Sequence, residues 1–333
     1  MKNSISGKLK AMKRAIFFIF LLICFLNKFL AHKVSPEAKP NYFYFESVNL
    51  KQHIISTNAI SRPGIFMLGS SGTAGSNIPE DTTTADYFNK FQNNYYAYNL
   101  ASLQATIVDS VIMLNKGMNY KKPKYVILGI SPDLFSDSSG SFMAMYEASN
   151  LQGLLPEDIV KNVQLERKRK LVGKTYLEIY STNVLPNVVI TAIRSKIYNF
   201  RKILYGDIMD KNIGGQKVLS MDSVLKRKDP YRLIRKLNQT CQDNNIKLIV
   251  FLEPQLWVEK FYNVNDFNRY RSEVKDLLAN ENIEFFDYVN LVPSDARYFH
   301  DFIHLTPEGY EILGKQLSMD FNLKINTQAV KHD

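Results

Sequence analysis

Residues 229–254 read DPYRLIRKLNQTCQDNNIKLIVFLEP. The stretch to Asn245 carries a helical pattern, and IKLIVFLEP (246–254) holds at its centre LIVFL (248–252), an unbroken apolar run of strand length. A strand with no polar face must be covered on both sides. A helix leading into such a strand is the repeating unit of a parallel sheet. The alternation extends in both directions. Downstream, helical FNRYRSEVKDLLANEN (267–282) precedes IEFFDYV (283–289). Upstream, IFMLG (65–69) ends in the small-residue loop SSGTAGSN, and YYAYNL (95–100) leads into LQATIVDSVIMLNKGM (103–118). There Leu103, Ile107, Val111 and Leu114 recur at helical spacing before KPKYVILGI (122–130), another buried strand. The fold class predicted is α/β, with a parallel sheet between helical layers.

A chain of 333 residues that is 45% hydrophobic has ample material for a core. No disulfide framework supports it, because Cys24 lies in an apolar run and Cys241 has no plausible partner. Lys2, Lys8, Lys10, Lys13 and Arg14 precede the apolar run AIFFIFLLICFL, the pattern of an export signal. Counting on through Phe29 and Leu30 brings the run close to the roughly 20 residues that span a bilayer. Residues 1–31 therefore read as an uncleaved membrane anchor, with a cleaved signal and secreted form as the alternative. The basic cluster keeps the N-terminus in the cytoplasm and sends the remainder to the periplasm or the cell exterior. A polar linker (32–61) then leads to a domain at 62–333.

Within that domain, residues 134–228 break the rhythm and read as a mostly helical insertion. Residues 160–236 hold 18 Lys/Arg against 6 Asp/Glu, an excess larger than the +10 of the whole chain. Such a surface is either simply solvated or faces something anionic, lipid headgroups or a charged cell-surface polymer. Nucleic acid is not an expected partner, since no aromatic-basic or helix-turn-helix signature accompanies the charge.

In an open parallel sheet, ligands bind beyond the carboxyl ends of the strands. Ser71, in Gly69-Ser70-Ser71-Gly72, stands where the first strand turns, so its hydroxyl can enter the crevice and nearby N–H groups can face an oxyanion. A serine nucleophile needs a base, and the base needs an orienting partner. Near the other end, residues 297–313 read RYFHDFIHLTPEGYEIL. Asp301 and His304 are spaced so that the carboxylate can accept the imidazole N–H. Thr306-Pro307 is a good helix start, which places His304 on a fixed loop just outside. His300 lacks that offset from Asp301 and reads as a loop residue. Glu253 and Trp257 follow the fourth strand and are expected to line the crevice, with Trp257 either stacking on a sugar ring or packing its own loop. Asp133 reads equally as a substrate-side carboxylate and as a helix cap. No cofactor or metal is expected, for want of Cys/His ligand spacing or a Gly-rich phosphate loop.

Together these residues resemble the SGNH/GDSL hydrolase superfamily, over residues from about 62 to 321. Gly69-Ser70-Ser71 stands for its Gly-Asp-Ser block, and Asp301, His304 and the PEGY that follows stand for its Asp-x-x-His block. Its second block looks like Asn99 through Gln104, with Gln104 where the family has an oxyanion-hole glycine. Its third looks like Gly129 through Asp133, with Ser131 in place of the oxyanion-hole asparagine. The resemblance implies a flavodoxin-like three-layer sandwich carrying a Ser71-His304-Asp301 triad, with Gln104 and Ser131 at the oxyanion hole. It implies an ester hydrolase or acyltransferase. Similar departures occur in membrane-anchored members that resemble the D-alanyl-lipoteichoic acid biosynthesis protein and polysaccharide O-acetylation proteins. By that likeness the substrate is an acylated cell-envelope glycopolymer and the partner a membrane-bound O-acyltransferase. The alternative is a catalytically inactive envelope protein of the same fold that binds an anionic glycan or such an acyltransferase.

Overall fold

Strand residues alternate between two buried faces, and that alternation sets the architecture. In a computed structural model of the chain, the residues described are 55, 60–75, 78, 81–102, 105–135, 151–171, 221, 226, 228–256, 258–295 and 297–329. The expected anchor, most of the linker and much of the insertion lie outside them. No helix among the described residues is long and apolar enough to cross a membrane. Five strands, β1 (Gly64–Leu68), β2 (Tyr96–Asn99), β3 (Tyr125–Ile130), β4 (Lys247–Leu252) and β5 (Glu284–Asp287), form one sheet in the order β2-β1-β3-β4-β5. Every pairing is parallel. This is the α/β fold with a central parallel sheet that the alternation of apolar runs predicts.

Phe66, Leu68, Val126, Leu128 and Val250 point into one core cluster, and Ile65, Met67, Ile127, Ile249 and Phe251 into the other. The first is covered by α3 (Ile107–Met118), α4 (Glu157–Leu171), α5 (Asp229–Asp243), the short α6 (Val258–Phe261) and α7 (Val264–Asn280). The second lies under α2 (Thr84–Phe91) and α8 (Pro307–Ala329). Crossover handedness explains the division. The chain steps outward from β1 to β2 and then back past β1 to β3, and right-handed connections in opposite directions put their helices on opposite faces. The reversal creates a switch point at the carboxyl end of β1, where the small-residue loop begins.

Three local outcomes differ from the sequence reading. The segment between β1 and β2 carries a helix, α2, that the sequence reading leaves out. Its signal is a reciprocal cap: Asp86 donates its N–H to the Thr83 hydroxyl (3.3 Å), and its carboxylate accepts the Thr83 N–H (2.9 Å). The helix expected from residue 103 starts at Ile107, because the Asp109 carboxylate accepts the Thr106 N–H at 2.7 Å and fixes the boundary there. α7 begins three residues before the expected 267, with the Asn263 side chain accepting N–H bonds from Asn265 and Asp266. Within the expected helical insertion, α4 is helical and buries Ile159, Val160 and Val163. Arg232 of α5 clasps Asp158 through two nitrogens, at 2.6 and 3.0 Å.

Candidate active site

The loop after β1 turns immediately into the four-residue helix α1 (Ser71–Ala74). Gly69 makes the turn with φ +148°, in a region that disfavours side chains, and Ser70 takes the extended N-cap position. Ser71 is thereby the first helical residue at the sheet's switch point. The N–H groups of this first turn have no intrahelical acceptors, by the geometry of any helix start.

The opposite wall is a small hairpin. Phe299 and Leu305 pair across it in antiparallel sense, and the His300 N–H donates to the His304 carbonyl at 2.7 Å. At its tip the Asp301 Oδ1 accepts backbone N–H bonds from Ile303 (3.0 Å) and His304 (2.8 Å). An aspartate bonded to the backbone two and three residues on stabilises a turn of this kind. The hairpin is tied to the β4 side, where the Leu256 N–H donates to the Phe302 carbonyl at 3.0 Å. It is tied to α8 by Thr306, whose hydroxyl accepts the Gly309 N–H at 3.3 Å and so caps the helix.

The two walls bring a serine, a histidine and an aspartate into line. The His304 Nδ1 lies 2.6 Å from Asp301 Oδ2, and its Nε2 lies 2.7 Å from Ser71 Oγ. A carboxylate can only accept, so Nδ1 carries the proton and the Nε2 lone pair is left to accept from the Ser71 hydroxyl. Burial acts to raise the Asp301 carboxyl, but the hydrogen bond and charge of His304 and the N–H groups of Ile303 and His304 outweigh it. The net value is held below the ordinary 3.8. Asp301 therefore stays ionised at neutral pH, as an orienting group must. The His304 side chain keeps 16% of its surface exposed.

The expected oxyanion residues fall unevenly. Gln104 lies outside the described residues. Ser131, just past β3, is 1% exposed, and its hydroxyl makes no hydrogen bond among the described residues. The hydroxyls of Ser70 and Ser102 are also buried without such a partner, and the Ser102 N–H donates to the Gly69 carbonyl at 3.2 Å. Asn99, where the second block begins, bridges the end of β2 to α1. Its Nδ2 donates to the Ala74 carbonyl (3.1 Å), and its Oδ1 accepts the Ala101 N–H (3.2 Å).

Of the two expected crevice residues, Trp257 lies outside the described residues, as does the Asp133 side chain. Glu253 is placed differently from the expectation. It is 3% exposed, and its Oε1 accepts the Thr73 hydroxyl at 2.5 Å, behind the turn that carries Ser71. Continuing the alternation of β4, Glu253 falls on the side of Phe251, where the Thr73 hydroxyl meets it. Two supporting residues escape a reading of the sequence. Thr73 is one, and its signal is the lone carboxylate at the end of an apolar strand, which burial obliges to find a donor. Tyr310 is the other: fully buried, it donates its hydroxyl to the Gly72 carbonyl at 2.7 Å.

No family model matches the chain, and no curated protein matches it. Solved structures do. One is a GDSL-like lipase of Bacteroides thetaiotaomicron, 13% identical, with a TM-score of 0.40 over 82% of this chain and 98% of the other. A member of the lipolytic G-D-S-L family from Veillonella parvula is 12% identical, with a TM-score of 0.41 over 75% and 93%. A lipase/acylhydrolase of Enterococcus faecalis is 12% identical, with a TM-score of 0.38 over 79% and 96%. The chemistry rests on the geometry of Ser71, His304 and Asp301 rather than on these likenesses. In fold, the chain is similar to these lipolytic proteins.

Proposed function

We propose that the protein is a serine ester hydrolase or acyltransferase. The observation that carries this reading is the line of contacts Ser71 Oγ to His304 Nε2 at 2.7 Å and His304 Nδ1 to Asp301 at 2.6 Å. His304 takes the Ser71 proton as Oγ bonds to an acyl carbonyl carbon. The negative charge that develops on the carbonyl oxygen is met by the free N–H groups at the start of α1, with the Ser131 hydroxyl and the loop at Gln104 as further donors. Collapse of the tetrahedral intermediate breaks the ester C–O bond, and His304 returns its proton to the departing alcohol. Water, or a hydroxyl of an acceptor, then attacks the acyl-serine with His304 again as base. Water completes hydrolysis and an acceptor completes transfer.

The finer reading places this chemistry outside the cytoplasm. Residues 1–31 serve as an anchor, the domain faces the periplasm or cell exterior, and the acyl ester belongs to a cell-envelope glycopolymer. The basic residues of 160–236 suit an anionic polymer or a membrane surface next to an O-acyltransferase. The test is covalent labelling of the purified full-length chain with a fluorophosphonate, together with hydrolysis of short-chain p-nitrophenyl esters. Labelling at Ser71 that disappears in Ser71→Ala is the expected result. A chain that neither labels nor hydrolyses, at a pH where His304 is neutral, would count against the proposal.

A further inference from the structure

We infer that Glu253 and Thr73 form a buried pin that positions the nucleophile turn, so that both act on the Ser71 reaction without touching the substrate. This rests on the reading of Ser71 as the nucleophile. The starting point is the shortness of α1. Four residues closed by two backbone bonds, Ala74 N–H to the Ser70 carbonyl (2.9 Å) and Gly75 N–H to the Ser71 carbonyl (3.2 Å), do not hold a helix by themselves. The direction of Ser71 must come from tertiary contacts. Three converge on α1: the Tyr310 hydroxyl on the Gly72 carbonyl, Asn99 on the Ala74 carbonyl, and the Thr73 hydroxyl on Glu253. The third is the shortest at 2.5 Å, in the range of charge-assisted O–H···O⁻ bonds. It also joins residues 180 positions apart.

The glycines supply an independent observation. A Cβ on Gly72 would fall on the Glu253 carboxylate, and a Cβ on Gly69 or Gly129 would fall on the Thr73 hydroxyl. Gly72 and Gly129 have no positive φ, so conformational freedom does not account for them. Space does. The turn after β1 and the end of β3 lack side chains around one hydrogen bond, and the residue after β4 is a carboxylate where an apolar residue would be cheaper to bury. The Glu253 backbone is itself fixed, its N–H donating to the Ile130 carbonyl at 2.9 Å. The pin thus ties α1 to the carboxyl end of β4, an interior strand of the sheet.

The test compares Thr73→Val, which keeps shape and removes the hydroxyl, with Thr73→Ser, which keeps the hydroxyl, and with Glu253→Met, which removes the acceptor. A misdirected nucleophile lowers turnover more than binding. Thr73→Val should lose about 10–100-fold in kcat on a p-nitrophenyl ester with KM within about twofold, and label with fluorophosphonate correspondingly more slowly. Thr73→Ser should stay within about threefold of wild type. Amide exchange at Gly72 through Gly75 should quicken at least about tenfold in Thr73→Val. Wild-type kcat with unchanged exchange would overturn the pin. Where Thr73→Val does not fold, Glu253→Met, which removes the acceptor, decides in its place, with a kcat loss at constant KM in support and wild-type kcat against. A wild-type chain inert to both reagents sinks the nucleophile reading alone. Exchange then decides the pin, with faster exchange in Thr73→Val upholding it and equal exchange refuting it.

Discussion

Asp301 meets His304 twice, its Oδ2 accepting the ring Nδ1–H at 2.6 Å and its Oδ1 accepting the backbone N–H at 2.8 Å. One carboxylate therefore sets both the loop that carries the imidazole and the tautomer of its ring. Asp301→Asn separates the two roles. The amide oxygen can still accept the backbone N–H groups, but its NH₂ faces Nδ1 and favours the wrong tautomer. Turnover should fall by about 10³–10⁴ with the fold retained, measured as kcat alongside a thermal melt.

The same carboxylate links stability to pH. Its value is below 3.8 when folded and near 3.8 when unfolded, so the unfolded chain takes up its proton first as pH falls. The stabilisation is complete above the unfolded value and is lost as pH drops through the folded one. Melting temperatures of wild type and Asp301→Asn should differ by a constant amount near neutrality and converge below about pH 4. A gap that widens in acid would contradict the sign.

Tyr310→Phe removes the hydroxyl from the Gly72 carbonyl and leaves a buried acceptor without that donor. The expected cost is about 1–3 kcal/mol, read from chemical denaturation. Because Gly72 follows Ser71, the variant should also label more slowly than wild type.

Gly314 marks where α8 crosses α2. An added Cβ would lie 2.9 Å from the Phe88 nitrogen and 3.0 Å from the Thr84 carbonyl oxygen. Helix propensity favours Gly314→Ala by about 1 kcal/mol, but overpacking against immobile backbone costs about 1–3 kcal/mol. The clash should win, and the variant should melt below wild type.

Cys241 is fully buried in the core on α5, and burial pushes its thiol up to about 12. At pH 8 it should resist iodoacetamide in the folded chain and react on unfolding in guanidinium, as mass spectrometry of the tryptic peptide would show.

How much of the site was legible depends on chain distance. The pairing of Asp301 with His304 and the helix start at Thr306-Pro307 are interactions over three residues or so, and short spacing nearly determines their geometry. That His304 rather than His300 has its ring beside Asp301 accords with that spacing, and the His300 backbone N–H goes to the hairpin rung. Glu253 illustrates the opposite case. At the end of an apolar strand it suggests a crevice residue, and only the approach of α1 makes it a buried acceptor for Thr73. The helix α2 was hidden for a third reason. It is short, so its buried face of Ala85, Tyr87 and Phe88 repeats over a single turn, and the capping box fixes its start.

What the sequence determined by itself is whatever repeats or lies close along the chain. Apolar runs alternating with amphipathic stretches require a parallel sheet between helices, because no other packing buries both faces of such strands. The encounter of Ser71 with His304, 233 residues apart, was decided by the tertiary structure. It depends on β1 lying inside the sheet with the strand order reversing beside it, so that the loop after β1 and the hairpin before α8 open at the same edge. The space around Thr73 and Glu253 was decided there too. A missing Cβ has meaning only once the atom that would collide with it is in place.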